Sequence, residues 1–487
     1  MSPFSGEQNV QVTNPDPFAK PVLRSPVLHT PLWVIATAQL CRWLWRLLRF
    51  LVRHPLVDVF AVGMFFAWRG RGWPGPAVFA AVVATAALAW RLSWPTSWSR
   101  YVANPMRSRW RRWYYLRHWT AVMTISRLAV YYRGRLMLPL LGPVTSTGFT
   151  DRLLVGLISG QSASDFASRA DNLAHGFGAI ACRIRAASPG SLVIELVRRD
   201  ALAAIVPALP VPEHVDLGAV PIGRQEDGNP WLIRLHGSHV LLAGSTGAGK
   251  ASVLWAIIRG ILPALGDGTA RIFGADPKLM ELAYGRALFD RYGRYESEPA
   301  LIVGMLEDAV ADMQARATSL AGHHRTHRPT TEHPFTVVLV DEVAFLTAYQ
   351  PDKKLRDRAV AAIATLTTQG RAVGYSVVGA LQDPRKDVLT IRNLFPDRIA
   401  MRLDEPEQVD MVLGDGARDR GATADLISTD PATGAGIAYV RHEADPDPVR
   451  VRAAWVTDDD IATMCARYAP RPLPVRAVLE PESGAAA

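Results

Sequence analysis

The stretch that decides the fold is His239–Ser252, HVLLAGSTGAGKAS. His239 to Ala243 is a short apolar run of the kind that forms a buried strand. Gly244, Ser245, Thr246, Gly247, Ala248, Gly249 and Lys250 follow, and Ser252 to Leu262 (SVLWAIIRGIL) reads as a helix. Strand, glycine-rich turn and helix together are the setting that a phosphate-binding loop requires. Glycines let the backbone wrap a phosphate with its N–H groups inward, and the helix N-terminus adds a favourable dipole. Lys250 is predicted to reach the outer phosphates of a nucleotide.

One position departs from the pattern. The residue after the lysine is ordinarily Ser or Thr, whose hydroxyl holds magnesium. Here it is Ala251, and the hydroxyl comes one residue later at Ser252. Either Ser252 substitutes, or the ion relies on water and an acidic strand end. Such a strand end lies 91 residues beyond Lys250: Phe335 to Val340 (FTVVLV) runs into Asp341 and Glu342. Asp341 is expected to hold magnesium directly or through water, and Glu342 to polarise an attacking water as general base. Ser376 to Leu381 (SVVGAL) reads as a further central strand ending at Gln382, an amide placed to position water beside the terminal phosphate.

Around this motif, from Trp231 onward, apolar strands alternate with helical stretches, which predicts a largely parallel sheet. Residues 136–230 read as a small α/β domain, with a helix over Ser164–Phe177, a strand over Ser191–Val197 and a boundary loop at Pro207–Pro212. Residues 231–470 form the nucleotide-binding domain, and 471–487 and 1–30 are read as loose tails. The three cysteines, Cys41, Cys182 and Cys465, are far apart, which argues against a disulfide scaffold or a Cys-based zinc site. His323, His324, His327 and His333 lie in one loop without metal-ligand spacing and read as a polar surface loop.

The charge is uneven. The chain has 487 residues and a formal net charge of +9. Residues 1–120 carry 15 Lys or Arg against 3 acids, so the basic excess belongs to the N-terminal quarter. Two apolar tracts lie there, Leu56–Trp68 and Pro76–Trp90, with Trp68, Trp73, Trp90, Trp94 and Trp98 at their ends. Residues 31–95 are therefore read as a membrane anchor of two helices, with tryptophans at the interface. Arginines precede and follow the pair, so both flanks are expected to be cytoplasmic. Arg42, Arg46, Arg49 and Arg53 recur at helical spacing, as in an interfacial helix on anionic lipid. Residues 96–135 are a basic, aromatic juxtamembrane segment, expected to meet lipid headgroups.

Several blocks in order resemble the FtsK/SpoIIIE DNA translocases. They are HVLLAGSTGAGK, ADPKLMELA at Ala275–Ala283, VVLVDEVAFL at Val337–Leu346, QGRAVGYSVVGALQDP at Gln369–Pro384 and LFPDRIAMRL at Leu394–Leu403. The resemblance is greatest to the actinobacterial Tra-type transfer proteins of plasmids and integrative elements. It implies a RecA-like P-loop NTPase motor behind a small N-terminal α/β domain and a helical membrane anchor. It further implies ATP and Mg2+ as cofactors, a homohexameric ring, double-stranded DNA in its pore, and a cell-membrane location with the motor in the cytoplasm. Lys250 then matches the phosphate-binding lysine, Asp341 and Glu342 the acidic pair, and Gln382 the polar sensor. Arg371 and Arg398 are the candidates for an arginine acting on the neighbouring subunit's nucleotide, with a slight preference for Arg398. Asp383-Pro384 stands where the family usually has Arg-Pro.

No room is expected after Leu426 for a sequence-reading winged-helix module. Gly414–Thr423 is a candidate pore loop. The implied function is ATP-driven transfer of a mobile element between cells. The alternatives are chromosome segregation at division and protein secretion.

Overall fold

The computed structural model describes Thr37 and residues 55–323, 325–385 and 392–469. The two tails, the Arg42–Arg53 stretch, Cys41 and His324 lie outside the described residues. The chain divides into two compact units, Met1–Ala103 and Asn104–Ala487.

The first unit contains helix α1 (Pro55–Arg71) and helix α2 (Pro74–Ser93). Proline opens each helix, where its missing N–H costs nothing. Only Gly72 and Trp73 separate them. Gly75 lies so close to the Ala67 carbonyl that a Cβ there would overlap it. Among the described residues, α2 is the one helix long and apolar enough to cross a membrane, and its apolar residues are largely exposed.

The second unit begins with α3 (Asn104–Ile125), followed by the hairpin β1 (Val130–Tyr132) and β2 (Arg135–Met137). Then come β3 (Leu140–Ser146), β4 (Thr150–Gly156), α4 (Ala163–Ala167), α5 (Ala170–Phe177), β5 (Ala181–Ser188) and β6 (Ser191–Val197). The four strands form an antiparallel sheet in the order β3-β4-β6-β5. The helix expected over Ser164–Phe177 is broken at Ser168 and Arg169. The first half is closed by a capping box at Ser162 and Asp165, and the second ends on left-handed Gly178. Helix α3, sequence-read as juxtamembrane, packs Tyr115, Trp119, Val122 and Met123 into this sheet's core with Phe166, Leu173 and Phe177. Buried Asp151 anchors it, accepting from Tyr115 Oη (2.7 Å) and Arg198 Nε (3.1 Å) beside Arg111 (3.3 Å).

The large sheet has eleven strands. They are β7 (Val206–Pro207), β8 (Val220–Gln225), β9 (Pro230–Ile233), β10 (Val240–Ala243), β11 (Ala270–Ala275), β12 (Gly293–Glu296), β13 (Phe335–Val340), β14 (Tyr375–Leu381), β15 (Asp397–Met401), β16 (Ile437–His442) and β17 (Asp445–Trp455). The order is β12-β11-β13-β14-β10-β15-β16-β17-β8-β9, with β7 beside β17. The first six strands are mutually parallel, and from β15 to β9 every pairing is antiparallel. The sheet is thus mixed rather than largely parallel. The sequence boundary at residue 230 falls inside the β8–β9 hairpin, whose two strands both belong to the large sheet.

Helices clothe both faces. On one side lie α6 (Lys250–Gly266), α7 (Arg286–Tyr292) and the late helix Asp458–Tyr468; on the other lie α8 (Pro299–Leu320), α9 (Val343–Thr347), α10 (Lys353–Val373) and α11 (Pro406–Leu413). Strand residues alternate between the two cores. Val240 and Leu242 face the first and Leu241 and Ala243 the second; Val337 and Leu339 oppose Val338 and Val340 in the same way. Burial on both faces explains why these strands read as unbroken apolar runs.

The histidine loop is partly interior. His327 is buried, and its Nε2 donates to the His333 carbonyl (2.8 Å) while its ring stacks on His236. It covers Gly374, the left-handed C-cap of α10 (φ +83°). A Cβ at Gly374 would run into the His327 ring. Gly374→Ala is therefore expected to destabilise this unit by about 2 kcal/mol or more, from left-handed strain plus overlap. A fall in melting temperature of at least about 4 °C checks it.

Candidate nucleotide site

Because β10, β11, β13, β14 and β15 run parallel, their C-terminal ends lie along one edge of the sheet. Residues leaving those ends converge: Gly244 after β10, Asp276 after β11, Asp341 after β13, Gln382 after β14 and Arg402 after β15. β14 sits between β10 and β13, which puts Gln382 between the glycine-rich turn and the acidic pair. Ligands bind at such carboxyl ends in open α/β sheets.

The turn itself needs its glycines. Gly247 and Gly249 have φ of +75° and +99°, and a Cβ at Gly249 would meet the Gly436 backbone at 2.8 Å. Gly244 N–H donates to Leu381 O (3.1 Å) and Ser245 N–H to Arg402 O (2.8 Å), so neighbouring strands hold both ends of the turn. Lys250 is the first residue of α6 and is buried. Its ammonium donates to Gly244 O (2.7 Å) and Ser245 O (3.4 Å). Burial lowers its pKa, and the charges of Glu342 and Asp341 oppose that shift. The lysine and the acidic pair therefore share one site.

Asp341 is 3% exposed. Burial raises its pKa to about 7, with nearby Glu281 and Asp276 adding to the effect and Lys278 opposing it. Glu342 is held by two donors: Lys278 Nζ to Oε2 (2.9 Å) and Gln382 N–H to Oε1 (3.4 Å). Thr246 Oγ1 donates to Gln382 Oε1 (3.3 Å), linking the side-chain amide to the turn. Asp276 is fully buried and accepts from Leu282 N–H (2.9 Å), Ala283 N–H (3.1 Å) and Tyr295 Oη (3.3 Å), while its Oδ1 has no partner.

Four carboxylates around one lysine pair make a site short of positive charge. That donor set fits a divalent cation held by Asp341 together with phosphate and water oxygens, the usual arrangement for magnesium. No group of three or more metal-ligating side chains is present among the described residues. The two residues after Lys250 diverge. Ala251 packs against the core. Ser252, about 100° further round the helix, lines a cleft of about 280 Å³ with Gly249, Gly436, Arg452 and Trp455. No hydrogen bond joins Ser252 to Asp341 among the described residues.

The two candidate arginines stand at the opposite edge of the sheet. Arg398 is the second residue of β15 and Arg371 lies in the last turn of α10. Both line a pocket of about 380 Å³ with Thr368 and Asn393. Arg371 is paired bidentately with Glu443 (3.0 and 2.7 Å). Arg398 donates to Phe395 O (3.0 Å) and has no carboxylate partner among the described residues; burial and neighbouring Arg441 and Arg392 lower its pKa to about 10. In the Gly414–Thr423 loop, Arg418 pairs with Asp425 (2.9 Å).

The sequence reading gave no role to Arg402, Lys278, Asp276 or Glu281. Arg402 donates from Nε to Ser245 Oγ (3.1 Å) and from Nη2 to Thr246 O (2.5 Å), gripping the glycine-rich turn. All four lie in the quoted blocks ADPKLMELA and LFPDRIAMRL, which was the available signal.

Residues 207–422 match the FtsK/SpoIIIE family model. The chain is 26% identical over 261 residues to DNA translocase FtsK of Staphylococcus aureus, covering 50% of this chain and 31% of that protein. It is 27% identical over 327 residues to DNA translocase FtsK of Lactiplantibacillus plantarum, covering 62% and 39%. The chain thus spans about a third of the length of these curated relatives. Among solved structures, the pCW3 conjugation coupling protein TcpA with ATPgS aligns with a TM-score of 0.47 at 20% identity, over 71% of this chain and 97% of that one. The cytoplasmic domain of the Thermomonospora curvata type VII secretion ATPase EccC aligns with a TM-score of 0.41 at 20% identity, over 56% and 34%.

The Asp341 carboxyl sets a pH signature. Its folded pKa lies above the ordinary value of 3.8, so the stability tied to its proton is full below about pH 4 and is lost as pH rises through about 7. At pH 8, without nucleotide, the ionised group costs up to about 4 kcal/mol. Asp341→Asn should flatten this dependence and raise the melting temperature at pH 8 but not at pH 4, which thermal denaturation across that range measures.

Proposed function

We propose, from the premise that this chain carries an FtsK/SpoIIIE-family P-loop ATPase domain in residues 207–422, that it is a membrane-anchored motor moving double-stranded DNA at the expense of ATP. The observation carrying this is the convergence of Lys250, Asp341, Glu342 and Gln382 on one strand edge, with Lys250 buried and electrostatically coupled to both acids. The glycine-rich turn would cradle the phosphates with its N–H groups. Lys250, now satisfied by carbonyls of its own loop, would exchange them for phosphate oxygens. Glu342 would take the proton of the attacking water, with Lys278 and the Gln382 amide fixing its carboxylate. Magnesium, when bound, supplies charge neutralisation between the phosphates, and Asp341 would hold it, with Ser252 a lesser candidate.

In this reading the chain works as a homohexamer. Arg398, unneutralised and at the edge far from its own glycine-rich turn, suits a role on the adjoining subunit's nucleotide better than ion-paired Arg371. Helices α1 and α2 would fix the chain in the cell membrane with the motor in the cytoplasm. The work done would be transfer of a mobile genetic element between cells.

Lys250→Ala and Glu342→Gln should each lower steady-state ATP hydrolysis by about 100-fold or more while leaving the circular dichroism spectrum unchanged. Glu342→Gln should still bind nucleotide. Phosphate release by the unsubstituted protein with magnesium should rise on adding duplex DNA. Stimulation by a secreted protein substrate instead of DNA would overturn the DNA reading, and turnover surviving in Lys250→Ala would overturn the site.

A further inference from the structure

Helix α3 has two faces of opposite use. Its inner face, built on Tyr115, Trp119, Val122 and Met123, closes the small sheet's core. At about 100° per residue, Met106, Trp110, Trp113 and Arg117 fall on the opposite side, with Arg109 and Leu116 on its flank. That side is open: Met106 is 66% exposed, Trp110 56%, Trp113 58% and Leu116 52%. A soluble helix of ordinary design carries polar residues there. This one interleaves large apolar and aromatic side chains with arginines.

The arginines of α3 are not equivalent. Arg111 pairs with Asp151, Arg107 donates to Thr147 O (2.8 Å), and Arg112 donates to Gly142 O (3.3 Å), so these three serve the fold. Arg109 and Arg117 have no carboxylate or carbonyl partner among the described residues; Arg117 lies 5.7 Å from the Trp113 ring centroid. No internal anion is within reach in sequence either, since no Asp or Glu occurs between Asp58 and Asp151. Only ten residues separate Ser93, the end of the apolar helix α2, from Asn104.

We infer that the outer face of α3 is a lipid-docking surface for an anionic membrane, with Met106, Trp110, Trp113 and Leu116 set into the interface and Arg109 and Arg117 on lipid phosphates. The stripe has the makeup of an interfacial helix, whose tryptophans favour the headgroup level and whose arginines draw on anionic lipid. The opposite face is locked to the small domain, so docking would hold that domain at the membrane surface. This rests on the membrane-anchored reading above. A nucleic acid could also take arginines and aromatics, but the absence of acids extends back through α2, and the apolar residues outnumber the free arginines on the stripe.

The test uses the full chain carrying Leu116→Cys, or Met106→Cys as an independent position, reconstituted in vesicles. Labelling of that cysteine by an aqueous maleimide is followed by peptide mass spectrometry. In phosphatidylcholine–phosphatidylglycerol vesicles the rate should be at least about fivefold slower than in phosphatidylcholine alone. Adding Arg109→Gln and Arg117→Gln should restore the fast rate while the protein still resists carbonate extraction. Equal fast rates in both lipids overturn the proposal. Slow labelling in every lipid and in detergent means protein covers the face, and slowing only with duplex DNA assigns it to nucleic acid; either also overturns it. Carbonate release of the unsubstituted chain would instead remove the anchor reading, and lipid-dependent labelling of vesicle-bound protein would still decide the face.

Discussion

A buried ammonium facing two carboxylates cannot be left to chance in a low-dielectric interior. Lys250 is held at the start of α6 by its own loop's carbonyls, while Asp341 and Glu342 reduce but do not cancel the cost of its burial. Everything that positions these groups is backbone architecture. Six parallel strands end at one edge, and the strand order sets the glycine-rich turn, Gln382 and the acidic pair side by side. The surplus of negative charge around Asp341 suits a site that takes up positive charge, which supports the nucleotide-site proposal.

The supporting residues show how the site is kept in register. Arg402 clamps the turn through Ser245 and Thr246, and Lys278 fixes the orientation of Glu342. Leu279, next to Lys278, has a φ of +59°, a conformation that a β-substituted residue adopts only when its surroundings impose it. Asp276 imposes them by accepting two N–H groups from the end of the same turn. The loop after β11 is thus built to present Lys278, and the fold bears local strain to do so.

The large sheet was legible in its parallel half and not in its other half. β10, β13 and β14 announce themselves because strands covered on both faces are unbroken apolar runs. β8, β9 and β17 carry prolines, arginines and short runs, so nothing local says which sheet they join. Their pairing depends on contacts between residues more than two hundred positions apart, such as Arg452 with Gly223 and Arg224. Helix α3 was legible only in part for a related reason. Its arginines and tryptophans look alike in sequence, yet half of them face a core and half face outward.

Spacing and residue chemistry alone determined the strand–glycine-rich turn–helix at Lys250, the acidic end of β13, the position of Gln382 after β14 and the apolar N-terminal tracts, because each is a local pattern whose geometry follows from a few consecutive residues. The family likeness followed from the same blocks. Tertiary structure alone decided that Ser252 lines a cleft with Gly436 and Arg452, that Arg371 is paired with Glu443 while Arg398 meets no carboxylate among the described residues, that Lys278 and Arg402 lie at the site, and which face of α3 is exposed. These are questions of which distant charge or carbonyl a side chain meets, and a one-dimensional pattern does not hold that information until the chain has closed on itself.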